Sequence, residues 1–142
     1  MAALSPVMDL AGVEAFLRAE FPQVSDDYTV AAIGPGTATI RMEPDHRHLR
    51  PGGTISGPTM FSLADCAVYL AIIAHVGPEA LAVTTGASID FMRKPAAGKA
   101  LVAEVALLKL GRGLAVGDVA IRSEGLPDLV ARATFTYSRP RA

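Results

Sequence analysis

The stretch GGTISGPTMFSLADCAVYLAIIA, residues 52–74, constrains the fold more than any other part of the chain. From Pro58 to Ala74 it predicts one helix, over about residues 58–75, that is apolar nearly all round, and other elements have to enclose such a helix on most sides. Its longest uninterrupted apolar run, Cys66 to Ala74, falls far short of the roughly 20 residues that cross a bilayer, so the helix belongs in a protein core and no membrane partner is expected. A single carboxylate, Asp65, interrupts it. Burying an unpaired charge costs several kcal/mol, so Asp65 needs a partner, a shifted pKa or a chemical role.

The remaining sequence supplies the enclosure. Ser5 and Pro6 suit a cap and first turn, and Val7, Leu10, Val13, Phe16 and Leu17 recur at helical spacing, predicting a first helix from about residue 6 to 20. Tyr28 to Ile33, the GPG at residues 34–36 and the alternating TATIRME from Thr37 predict a hairpin. Beyond the apolar helix, Leu81 to Met92 alternates, with Ala82, Thr84, Gly86, Ser88 and Asp90 forming a polar face. Segments 99–110, 114–123 and 129–138 follow as strands joined by GRG and EGLPD turns. The order predicts an α+β fold, with an antiparallel sheet meandering beside a buried helix. At 142 residues the chain is expected to form a single domain over 1–142.

Composition narrows the function. With 13 basic and 14 acidic residues the net charge is -1, and no Lys/Arg cluster stands ready to grip a phosphate backbone, which argues against nucleic acid. The chain is 51% apolar and only 19% charged, which favours a subunit that buries further surface against copies of itself. The start, MAALSPVMDLAGVE, lacks the basic and apolar regions of a signal peptide, and one cysteine makes no internal disulfide; a cytoplasmic location is the expectation.

The helix start is the second chemical feature. Ser56 or Gly57 suits the cap and Pro58 the first turn, leaving unpaired amides at a partly positive helix end. Such an end either begins a helix and nothing more, or stabilises an oxygen on which negative charge develops. Gly57 permits close approach to the backbone. Asp65 lies eight residues further on, roughly 12 Å along a helix, whereas an acid or base and an oxyanion donor both have to sit about 3 Å from the reacting atoms. Two antiparallel copies of the helix around a two-fold axis bring Asp65 of one chain opposite Gly57 of the other. The alternative is that Asp65 accepts hydrogen bonds from a neighbouring strand and does no more.

GGTISGPTMFSLADCAVYLA, VTTGASIDFMRKPAAGKALVAEVALLKLGRGLAVGDVAI and LVARATFTYS together resemble the hotdog-fold acyl-CoA thioesterases of the PaaI-like group over about residues 47–138. The resemblance implies a long central helix wrapped by an antiparallel sheet. It also implies hydrolysis of an acyl-CoA thioester to a free acid and coenzyme A. By that resemblance Asp65 is the catalytic acid, acting as nucleophile or as general base on water. Gly57, through its amide, polarises the thioester carbonyl across a dimer interface. Thr84, or alternatively Thr85, positions the attacking water; strand alternation favours Thr84. Arg93, Lys94 and Arg112 fall where coenzyme A phosphates are met, and Lys or Arg suits that task through charge-assisted donors.

Three positions depart from the family pattern. Ser56 stands where the family carries histidine, Pro58 replaces its second glycine, and Arg50 occupies a loop position that is often Asn or His. Ser56 still donates a hydrogen bond but does not titrate near neutral pH, and Pro58 removes one candidate amide while Gly57 and Thr59 keep theirs. Arg50 is placed to pair with a substrate carboxylate or with Asp65. His46 and His48 alternate in a loop but lack the partners of a metal site, and His75 suits the helix C-terminus. No metal and no cofactor are expected. The expected assembly is a homodimer at least, with a tetramer as the larger form. The alternatives are a non-catalytic acyl-CoA-binding protein and a hotdog dehydratase or hydratase.

Overall fold

The computed structural model describes residues 4–78 and 81–140. Along the chain come helix α1 (Leu10–Glu20), strands β1 (Tyr28–Gly34) and β2 (Thr37–Met42), and a 3-10 turn at His46–His48. Helix α2 (Gly57–Val76) follows, then β3 (Val83–Phe91), β4 (Leu101–Leu110), β5 (Leu114–Ser123) and β6 (Leu129–Ser138). The six strands form one antiparallel sheet in the order β1-β2-β4-β5-β6-β3, wrapped around α2. This is the α+β hotdog arrangement that the all-round apolar helix demanded. By length and composition alone α2 could cross a membrane, yet thirteen of its twenty residues are buried within this chain.

Two expectations are corrected. The first helix begins at Leu10, because the Asp9 carboxylate caps it by accepting from the Gly12 amide at 2.8 Å. The amides of Val7 and Met8 donate instead to the Ala74 carbonyl, at 2.7 and 3.1 Å, tying the segment of Ser5 and Pro6 to the far end of α2. The sheet is also not a simple meander. β3 precedes β4 in the chain but pairs with β6, at the edge opposite β1. Beyond it, the Met92 amide bonds to the Val130 carbonyl and the Ala96 amide to Ser123 Oγ, so the connection crosses the ends of β6 and β5 before β4 begins.

Packing between sheet and helix is close. Residues of β4, β5 and β6 alternate buried and more exposed, and the inner set (Leu101, Ala103, Val105, Leu107, Val119, Ile121, Phe135) packs with Leu63, Val68, Leu70, Ile72 and Ile73 of α2 in one core. Each large apolar side chain so enclosed contributes about 1.5–3 kcal/mol. Gly117 sets the spacing, since a Cβ there would lie 3.0 Å from Val68 Cγ1 and 3.2 Å from Cγ2. His75, expected to act on the helix dipole, does something more definite. Its Nδ1–H donates to the Ala71 carbonyl at 2.7 Å, and Nε2 accepts from the Gly36 amide at 2.8 Å, fastening the β1–β2 turn to the end of α2. His48, in the loop before α2, is buried, with Nδ1 accepting from the Asp45 amide at 2.9 Å.

Candidate active site

Asp65 sits between the buried pair Leu63–Ala64 and the buried pair Cys66–Ala67, yet is itself half-buried, because its turn of α2 faces the seam between β6 and β3. Three hydrogen-bond contacts converge there. Thr84 Oγ1 donates to Asp65 Oδ1 at 2.7 Å, Tyr137 Oη donates to the same Oδ1 at 2.6 Å, and Tyr137 Oη lies 3.0 Å from the Asp65 carbonyl oxygen. Asp65 Oδ2 has no partner among the described residues. The carboxylate lines a cavity of about 420 Å³ with Thr84, Tyr137, Tyr28, Tyr69 and Phe21 among its walls.

The strand context explains why Thr84 reaches Asp65. Alternation in the sequence groups Thr84 with Ser88 and Asp90, but the pairing of β3 with β6 slips by one residue at Thr85. This bulge reverses the parity. Thr84 pairs with Tyr137, Ala87 with Phe135 and Phe91 with Ala131, all facing α2, whereas Ser88 pairs with Thr134 and Asp90 with Arg132 on the outer face. Thr84 is therefore well placed, but not on the face it was expected to share. Thr85 is the displaced residue, and its hydroxyl goes to the Thr136 carbonyl at 3.4 Å.

Burial, then the charge of Asp65, pushes the Tyr137 phenol well above its ordinary range, so it remains a donor. Burial raises Tyr69 to about 12 and the Cys66 thiol to about 12. Cys66 is thus a protonated wall residue and no nucleophile. Among the described residues, no group of three or more His, Cys, Asp or Glu side chains is arranged to hold a metal ion.

The Gly57 end forms a separate place. Ser56 is the cap; its Oγ accepts from the Thr59 amide at 3.3 Å and lies 2.7 Å from Thr59 Oγ1, so both hydroxyls are engaged in starting the helix. A bridge between Leu49 and Ile55 and a turn at residues 50–53 present Arg50 beside it. Gly57, Arg50, Arg93 and Lys94 line one groove together with Phe91, whose ring would lie 3.3 Å from a Cβ at Gly57. Arg93 also reaches the Leu129 carbonyl and Asp128. Arg112 stands exposed in the β4–β5 turn and lines neither place. Arg50 and Asp65 share no cavity, so within one chain the suggested pairing of these two is not made.

The model of the thioesterase superfamily matches residues 52–130, more than half of the chain, a range that takes in Gly57, Asp65 and Thr84 but neither Arg50 nor Tyr137. The chain belongs to the thioesterase superfamily. Its class of chemistry is thioester hydrolysis, as the sequence motifs implied. A protein from Silicibacter sp. described provisionally as a thioesterase is 51% identical over 99% of this chain and 97% of its own, with a TM-score of 0.92. A mutant of the phenylacetic acid degradation protein PaaI from Thermus thermophilus is 32% identical over 84% of this chain and 99% of its own, at 0.72. A Streptococcus mutans protein bound to acetyl-CoA is 26% identical over 80% of this chain and 88% of its own, at 0.70. No curated protein matches the chain. The site residue that the sequence did not reveal in this thioesterase is Tyr137. It sits in a cleanly alternating strand and reads there as a core aromatic; only the fold brings it to an acid 72 residues earlier.

Proposed function

We propose that the protein is an acyl-CoA thioesterase whose two half-sites join across a homodimer. The observation that carries this is the Asp65 carboxylate, held through one oxygen by Thr84 and Tyr137 while the residue lines a cavity. The acyl group lodges in that cavity, and the Gly57 amide of a second copy receives the thioester oxygen. One such donor is worth about 10²–10³ in rate where charge develops. Asp65 then either takes a proton from water as that water attacks the thioester carbon, or attacks the carbon itself to give a mixed anhydride that water then hydrolyses. The carbon–sulfur pair leaves on the coenzyme A sulfur, which regains a proton. Thr84, whose hydroxyl bonds Asp65, is read as helping to position the attacking water. Arg50, Arg93 and Lys94 beside Gly57 suit the coenzyme A phosphates, whereas Arg112 does not line that groove. Ser56 and Thr59 act by holding the helix start. No metal or further cofactor enters this scheme.

Support for a second copy comes from β3. It is an edge strand on which Val83 and Phe91 stay more than half exposed, flanked by exposed Leu81 and Met92, and an apolar edge of this kind calls for a cover. A tetramer in a reducing cytoplasm is the larger assembly we infer. A dehydratase has less support, since among the described residues no histidine lines the cavity around Asp65. The test is a panel of acyl-CoA thioesters with free-thiol detection. The wild type should release thiol and Asp65→Asn should lose most of that activity, on the order of 10²-fold or more. Binding without thiol release by the wild type would make the protein an acyl-CoA binder. Full activity in Asp65→Asn would leave a thioesterase with a different mechanism.

A further inference from the structure

Neither the sequence pattern nor the family match assigns a role to Tyr137. We propose that Tyr137 is a positioning residue that, with Thr84, clamps one oxygen of Asp65 and so selects the other, Oδ2, as the oxygen that reacts. This rests on the reading of Asp65 as the reactive carboxylate.

The two clamping hydroxyls come from facing residues. Thr84 and Tyr137 are paired in register between β3 and β6, which sets both side chains on the inner face above α2. Both donate to Oδ1, at 2.7 and 2.6 Å. An aspartate carboxylate left alone turns broadly about its last bond, exchanging its two oxygens. Two donors on one oxygen stop that exchange and leave Oδ2 as the oxygen with no partner among the described residues, on a side chain that lines the cavity. The phenol is itself held, with its ring stacked on Tyr69 at 6.0 Å and 28°, and Tyr69 packed edge-on against Phe21 at 5.9 Å. Its proton stays in place because burial and the adjacent charge oppose ionisation.

The clamp suits either chemical route. When water attacks, its proton passes to Oδ2 while its oxygen bonds to the thioester carbon. When Asp65 attacks, Oδ2 bonds to that carbon and the carbon–sulfur pair departs on sulfur. In both cases Oδ1 becomes a carbonyl oxygen, still able to accept both hydroxyls, so the donors need not move. Thr84 alone does not fix the plane, because it rides on an exposed edge strand, whereas Tyr137 is 4% exposed and anchored in the core.

The rival is a purely structural tie between β6 and α2, for which the 3.0 Å contact to the Asp65 carbonyl oxygen would suffice. Tyr137→Phe keeps the ring and its stacking and removes only the hydroxyl. The expected result is a fall in kcat of about 10- to 100-fold, the loss typical of one hydrogen bond to a charged group, with KM within about twofold. In an Asp65→Asn background, the same change should alter the residual rate little. A crystal structure of Tyr137→Phe should show the Asp65 carboxylate turned or in two orientations. The proposal is overturned if kcat is unchanged, if the loss recurs in full in the Asp65→Asn background, or if Asp65 keeps its single orientation. Should the wild type hydrolyse no thioester at all, it is the thioesterase reading that fails, and the carboxylate orientation in Tyr137→Phe decides the clamp on its own.

Discussion

Joining half-sites across a dimer makes a quantitative demand that a site contained in one chain does not. Gly57 and Asp65 lie at positions 1 and 9 of α2, about 12 Å apart along its axis, and they line different cavities. In the proposed dimer each complete site therefore takes Asp65 from one chain and Gly57 from the other. The perturbation is a pair of variants: Asp65→Asn, and Gly57→Pro, which deletes the amide hydrogen under test. Proline is tolerated at the first helical position, and Ser56, with φ -72° and ψ 152°, already has the extended backbone that a following proline requires. A Cβ at position 57 lies 3.3 Å from the Phe91 ring, which has to shift by a few tenths of an ångström to admit it. Each variant alone should be nearly inactive. A heterodimer of the two contains one site with both groups and one with neither, so it should carry about half the wild-type rate per dimer. Random mixing at equal amounts makes about half the dimers heterodimers and recovers about a quarter. The assay is thiol release from heterodimers isolated by co-expression with two different affinity tags. If they are no more active than the parents, the cross-chain site is refuted. Wild-type activity in Gly57→Pro alone would remove the amide from the mechanism.

Gly117→Ala should destabilise the fold by about 1–3 kcal/mol, because the new methyl group meets Val68 at 3.0 Å. Urea denaturation checks this, and Val68→Ala in the same chain should recover part of the loss. His75→Phe strips the Gly36 amide of its acceptor and should cost about 1–3 kcal/mol by the same measurement; an unchanged midpoint would mean that the β1–β2 turn does not depend on this bond. Burial raises the Cys66 thiol from an ordinary 9.0 to about 12, with the Asp65 charge adding to it, and raises Tyr69 from 10.0 to about 12. Both groups stay protonated in the fold while the unfolded chain releases their protons, so their stabilising effect is complete below pH 9 and is lost as pH rises towards 12. Urea midpoints should therefore fall between pH 8.5 and 11, and a thiol reagent at pH 8 should label Cys66 only slowly in the native protein. Rapid native labelling would contradict the buried thiol.

Much of the architecture could be read from local pattern. The apolar helix demanded an enclosing sheet, and the turns at Gly111–Gly113 and residues 124–128 marked β4, β5 and β6. Strand order was not legible, since nothing within β3 says which edge it joins; the crossing of residues 92–100 along the ends of β6 and β5 decides that. The α1 start was misread because Ser5-Pro6 and Asp9 are both good beginnings, and the pull of the Ala74 carbonyl on residues 7 and 8 chose between them. At the site, Asp65 betrayed itself by being charged where all else was apolar. Thr84 was selected by an alternation that the bulge at Thr85 then reversed. Tyr137 gave no local sign, since an inward aromatic on a strand looks the same whether or not its hydroxyl meets an acid. Arg50, Arg93 and Lys94 came together beside Gly57, while Arg112 did not.

The exposed rim of β3 ties two properties that are usually opposed. For most chains, crowding copies together raises the danger of clumping. Here Val83 and Phe91, each more than half exposed, make a solitary chain the adhesive form, with a free strand edge inviting out-of-register partners. In the proposed dimer, a properly seated twin consumes that edge. By mass action, abundance then draws chains out of the hazardous state and into the one that works. On the proposed cross-chain site, scarcity, as in a freshly translated or highly diluted chain, is the condition under which this protein is both idle and most at risk.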